Sequence, residues 1–253
     1  MGAKIELPKV YKGKNKKYVG RPMISWSQVE TWIGKRGFNT GLPGFHEYMR
    51  KYFMGETYPD AGWGQYGSEM ESYITLRNAP KKVIDALDEK DRASYEGCMV
   101  NFSKAEKEFL SQIEPLGNYQ TEIIIDFGDF ILLGYIDDHT DDFSHIRDYK
   151  SKSASTMLSL SKPDNYQLDV YGLYCYKVLG IIPTKAEYFV VDRAGGGECM
   201  RGGGRKSLSV GKQIWNIDRE MSIPRLEETA EIIRETAMDI SEYWKVFQKF
   251  NKK

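Results

Sequence analysis

The chain has little of what would assign a protein class at a glance. Its three cysteines, Cys98, Cys175 and Cys199, are scattered and odd in number. That argues against a disulfide framework and leaves reduced thiols as the expectation. Its three histidines, His46, His139 and His145, have no zinc spacing relative to those cysteines. No run of 18 or more apolar residues occurs, so no membrane-spanning helix is expected. The opening Met1-Gly2-Ala3-Lys4 lacks the apolar core of a signal peptide, and Glu6 stands where a myristoylation motif needs Ser or Thr. A soluble cytoplasmic protein without membrane partners is therefore expected. Net charge is absent too: 36 Lys and Arg balance 36 Asp and Glu. This excludes a protein coated in positive potential, such as a histone-like packager, but not a local basic groove.

Basic residues do cluster. Lys12, Lys14, Lys16, Lys17 and Arg21 lie near the start, and Arg193, Arg201, Arg205, Lys206 and Lys212 surround a glycine-rich loop. Residues 1–22 have little periodicity and are expected to form a flexible or loosely docked basic arm. Residues 23–253 are expected to form a single α/β domain, since a chain of 253 residues can bury a large core. Ser27-Gln28-Val29-Glu30 has the capping-box pattern, which predicts a helix from Gln28 to near Gly34 or Gly37. Further helices are predicted over Phe45–Met54, Ser68–Arg77, Lys81–Leu87 and Glu89–Ile113, with residues 62–67 as loop. Strands are predicted over Thr121–Phe127, Phe130–Ile136, Ser144–Lys150, Lys185–Asp192 and Lys212–Ile217. A helix opened by Pro163 and closed by Gly180 lies between them. The last helix begins near Ser222 and spaces Leu226, Ala230, Ile233, Ala237, Ile240, Trp244 and Phe247 alternately by four and three. Such a stripe serves either the domain's own core or a seam between subunits.

The most informative stretch is Gly134-Tyr135-Ile136-Asp137, a short acidic loop, then Ile146-Arg147-Asp148-Tyr149-Lys150-Ser151. Side chains alternate along a strand, so Asp148 and Lys150 share a face and Tyr149 takes the other. Asp137 is expected where the neighbouring strand ends. Two carboxylates and an ammonium converging at a strand edge are costly to bury unpaired. A hard divalent cation resolves the conflict, because it takes carboxylate oxygens and keeps waters that a nearby amine can orient.

Asp137, ten intervening residues, then Asp148-Tyr149-Lys150 resemble the core signature of the PD-(D/E)XK nuclease superfamily, in its RecB-like and lambda-exonuclease-like branch. Three more segments resemble that branch in the right order. They are Ser25-Trp26-Ser27, Gly67-Ser68-Glu69-Met70-Glu71 and Gln167-Leu168-Asp169-Val170-Tyr171. The resemblance runs from about Ser25 to the final helix. It implies a restriction-endonuclease-like core with a central mixed sheet flanked by helices. It also implies a Mg²⁺- or Mn²⁺-dependent deoxyribonuclease held by Glu71, Asp137, Asp148 and the backbone carbonyl of Tyr149. Lys150 would orient the attacking water, and Gln167 and Tyr171 would lie beside the scissile phosphate. Some members carry a four-cysteine iron–sulfur cluster, a ligand set that three cysteines cannot supply.

The branch implies exonuclease action on DNA ends in phage-type recombination or DNA processing, in the host cytoplasm if phage-encoded. A recombination or single-strand-binding protein is a candidate partner, and a ring-forming homo-oligomer is open. Two other readings stay open: a RecB-like single-strand nuclease or endonuclease, and a catalytically weak DNA-binding or assembly protein on the same fold. Arg193, Arg201, Arg205 and Lys206 are expected to contact DNA phosphates. Other patterns carry no function. Gly203-Gly204-Arg205-Lys206-Ser207 breaks the P-loop order, the Asp138–Asp142 loop lacks EF-hand ligand alternation, and the tyrosines from Tyr166 to Tyr176 read as core packing.

Overall fold

The structure, a computed structural model, describes residues 5–34, 44–56, 63–76, 104–152, 157, 159–194 and 209–251. Its centre is one mixed sheet of seven strands. β1 (Lys9–Val10) lies antiparallel to β2 (Pro22–Ser25), and β2 runs parallel to β4 (Ile131–His139). β3 (Asn118–Asp126) pairs antiparallel with β4 along its whole length. β5 (His145–Lys152) pairs antiparallel with β4 and parallel with β6 (Lys185–Ala194), and β7 (Ser209–Asp218) closes the far edge against β6.

A strand has two edges, and β3 takes one edge of β4 entirely. β2 and β5 therefore share the other: β2 takes Ile131 to Leu133, and β5 takes only Asp138 and His139. Between those two pairings the sheet forks. The hairpin that leads to the fork follows from its residues. Ile123 and Ile125 bury on one face of a β-branched run, and the Gly128-Asp129 signal turns the chain with Gly128 at φ +93°.

Helices cover both faces. On one, α1 (Trp26–Trp32), α2 (Gly44–Tyr48, continued as a π-helical turn to Phe53), α5 (Gln167–Tyr174) and α6 (Ile223–Asn251) enclose the larger core. On the other, α3 (Trp63–Leu76) and α4 (Lys104–Ser111) bury Met70, Ile74 and Leu110 against Tyr149, Phe189 and Val191. The α6 stripe is used within the domain. Leu226, Ala230, Ile233, Ala237 and Ile240 are buried, with Trp244 and Phe247 at the margin. Each large aliphatic side chain so buried contributes about 1.5–3 kcal/mol.

Several expectations shift. The segment expected to be a flexible or loosely docked arm is anchored on the core at a few points, with most of residues 12–20 exposed. Ile5, Leu7 and Tyr11 are buried, and Arg21 pairs with Asp126 at 2.7 Å. Apolar residues spaced through a lysine-rich stretch made its composition misleading. The first helix is capped by Ser25 rather than Ser27: Gln28 Oε1 accepts from the Ser25 N–H at 2.9 Å. α3 starts at Trp63, five residues before the predicted start, so Gly67 lies inside it. α5 starts at Gln167 rather than at Pro163, which lies in the preceding turn. It continues through a π-helical turn, Cys175–Leu179, and stops as predicted at left-handed Gly180, φ +73°. The fourth predicted helix falls outside the described residues, as does the fifth up to residue 103. The described part of the fifth ends at Ser111. Among the described residues no helix is long and apolar enough to cross a membrane.

Candidate active site

Asp137 stands in the fork, two residues before the end of β4 rather than at it. Beyond Asp138↔Arg147, β5 has no further β4 partner. The Tyr149 N–H instead donates to Asp137 Oδ2 at 3.0 Å. The carboxylate thus bridges the gap that the diverging backbones leave. Asp148 and Lys150 lie on the face opposite the Tyr149 ring, as the period of two requires. Asp148 is fully buried. Its Oδ1 accepts from the Tyr171 hydroxyl at 3.0 Å, and that hydroxyl accepts from Gln167 Nε2 at 3.1 Å. Gln167 and Tyr171 are one helical turn apart on α5, so one face of that helix delivers both. Asp148 Oδ2 makes no hydrogen bond of good geometry and has the Lys150 ammonium as its ion partner. α3 brings Glu71 from the other side of the sheet.

One residue that joins these groups was not foreseen. Gln120 Nε2 donates to Glu71 Oε1 at 2.6 Å and to Asp137 Oδ1 at 3.2 Å. The signal was present in the hairpin. Tyr119 pairs with Asp138 and Thr121 with Ile136, which sets Gln120 opposite Asp137. Counting outward from the Gly128 turn would have found it.

Burial pushes the Asp137 carboxyl well above its ordinary range, and repulsion from Asp148 and Glu71 adds to this. Glu71 is pushed up to about 7, first by burial and then by Asp148, against the opposing Gln120 hydrogen bond and the Lys150 charge. Burial disfavours the Lys150 ammonium, but attraction to Asp148, Asp137 and Glu71 outweighs it and raises the lysine. These shifts fix a sign. Carboxylates whose folded pKa is raised contribute stability below their unfolded pKa and lose it as pH rises through the folded value. In chelator, stability should therefore fall between about pH 4.5 and pH 7, by about 2 kcal/mol or roughly 5 °C in Tm. A melting series across that range checks it; a flat profile would contradict the repulsive cluster.

Three carboxylates facing one ammonium are a donor set that suits a hard divalent cation chemically. As the side chains stand, no group of three or more His, Cys, Asp or Glu among the described residues is arranged to hold a metal ion. The Gln120 amide bridges two of the carboxylates, and Lys150 holds the third.

The structure thus brings Glu71, Asp137, Asp148, Tyr149, Lys150, Gln167 and Tyr171 together around one fork. It does not address the phosphate contacts expected of the glycine-rich loop. Arg201, Arg205 and Lys206 lie outside the described residues, and Arg193 is described only as backbone in β6.

No protein-family profile matches the chain. No curated protein matches it significantly. Among solved structures it is similar to a protein from Eubacterium rectale provisionally described as an exonuclease. The two are 13% identical over 94% of this chain and 88% of that one, with a TM-score of 0.49.

Proposed function

We propose that the chain is a divalent-cation-dependent DNA nuclease, and that it acts as an exonuclease on DNA ends. The observation that carries the reading is the meeting, at one fork in the sheet, of Asp137, Asp148-X-Lys150 and the helix carboxylate Glu71. This is the constellation on which the PD-(D/E)XK resemblance rests. Glu71, Asp137, Asp148 and the Tyr149 carbonyl would hold Mg²⁺ or Mn²⁺. Bound there, such an ion would supply water activation and offset of the phosphate's negative charge.

The chain's own groups do the rest. The Tyr149 N–H orients Asp137, and the Tyr171 hydroxyl, itself held by Gln167, fixes Asp148. Attraction to the surrounding carboxylates favours the Lys150 ammonium in the cation-free protein, and its role would be to orient the attacking water and offset phosphate charge. Lys150→Ala should slow cleavage on the order of 10²–10⁴-fold while still binding the ion. A loss of ion binding equal to that of an Asp148 variant would contradict this division of roles.

The test is a time course on linear duplex, covalently closed and single-stranded DNA, with Mg²⁺ and with EDTA. Mg²⁺-dependent loss of linear DNA alone is expected. Cutting of closed circles would make the enzyme an endonuclease, and action on single strands alone would favour the RecB-like reading. One observation favours the rival, a catalytically weak DNA-binding or assembly protein on this fold, namely that Gln120 and Lys150 already engage carboxylate oxygens that an ion would need. DNA binding with no cleavage of any substrate in Mg²⁺ or Mn²⁺ would establish that rival.

A further inference from the structure

Gln120 is a member of the fork for which neither a motif nor the chemistry of phosphodiester cleavage calls. Three features set it apart. Its backbone is left-handed, φ +52°, a conformation that a residue with a Cβ rarely adopts inside a strand. It lies within an otherwise continuous hairpin register, opposite Asp137. Its amide spans two acidic side chains from different elements, reaching Glu71 on α3 and Asp137 on β4. An uncharged amide with two N–H groups is a weak substitute for a cation: it supplies donors to both carboxylates without neutralising either.

We propose that Gln120 is a positioning residue that stands in for the cation. It holds Glu71 and Asp137 together in the cation-free protein and must leave when a divalent ion enters, so it sets the affinity of the site. The inference rests on the reading of this cluster as a cation site. The geometry accounts for both halves of the role. Glu71 and Gln120 are separated by 49 residues in the chain, so the bridge, beside the Tyr119 hydroxyl that also reaches α3, ties α3 to the hairpin when no ion does so. Gln120 is itself exposed, so its amide can turn out to water and remain hydrogen-bonded there. Displacement therefore leaves no buried group unsatisfied. Only the fraction of molecules with the amide swung away is competent to bind, and the apparent dissociation constant rises by the inverse of that fraction.

The test uses the whole chain, freed of metal with chelator and titrated with Mn²⁺, with free ion followed by electron paramagnetic resonance. Gln120→Met keeps the length of the side chain and removes both donors. Gln120→Gly also removes them and suits the left-handed backbone, so it covers the case in which the methionine variant does not fold. Both variants should bind Mn²⁺ about tenfold more tightly than the native protein. Their cation-free melting temperature should be lower than native, with the gap closing at saturating Mn²⁺. Native-like affinity in a folded variant would overturn the proposal and reduce the bridge to a spectator. Weaker affinity would also overturn it, by making the Gln120 carbonyl a ligand. Those two outcomes leave the nuclease reading intact. Absence of Mn²⁺ binding by native and variant proteins alike would instead remove the cation site itself, and this proposal with it.

Discussion

Asp148→Asn should reduce DNA cleavage to less than about a tenth of the native rate, because it removes one of the charges that would hold the catalytic ion. The fold should survive, for a reason the structure supplies. The asparagine keeps an oxygen at the place where Asp148 accepts from Tyr171. Losing the carboxylate costs Lys150 its closest partner, yet Asp137 and Glu71 also attract that ammonium. The same change relieves the repulsion that Asp148 exerts on both. A buried charge losing its partner and a repulsive cluster losing a member are opposing effects. The measurements are cleavage rate, Mn²⁺ affinity and melting temperature on one preparation. Activity above about a tenth of native would sink the assignment of Asp148 as an ion ligand.

The largest loss of stability is expected at Glu187, away from the chemistry. Its carboxylate is fully buried on β6 and is shared by His145 at 2.8 Å, Arg147 Nε at 2.9 Å and Lys185 at 2.8 Å. Arg147 is almost as deeply buried. It also donates to the Glu114 carbonyl at 3.0 Å and to the Tyr149 hydroxyl, which in turn donates to Asp138 at 2.8 Å. Asp138 accepts from the backbone N–H groups of Leu116 and Gly117, fixing the chain's entry into β3. Glu187→Ala would leave Arg147 charged and buried without its counter-ion, which costs about 3–5 kcal/mol. Lys185 is 43% exposed and can turn to solvent, so it adds little. Urea denaturation should show the loss, with melting lowered by roughly 10 °C. A change below about 1 kcal/mol would mean that water already screens the pair.

Much of this protein is determined by local sequence. The β-branched run at Ile123–Ile125, the Gly128 turn and the alternation through Asp148-Tyr149-Lys150 specify a hairpin and a third strand, because strand period and turn chemistry act over a few residues. The i, i+4 spacing of Gln167 and Tyr171 likewise puts both on one helix face. Local rules also misled. The lysines of residues 1–22 masked the buried Ile5, Leu7 and Tyr11, and glycines made the first turn of α3 read as loop.

What only the tertiary structure decided is where these pieces meet. The α6 stripe left its partner open between core and subunit seam, and contact with the domain's own helices and sheet resolved it. The fork between β2 and β5 depends on two strands sharing one edge of β4, which no single strand encodes. Glu71 reaches Asp137 through Gln120 only because a helix on one face of the sheet packs beside a hairpin that follows it by 49 residues. Periodicity specifies which way a side chain points along its own element. Which side chain it then faces is set by the packing of elements distant in the chain.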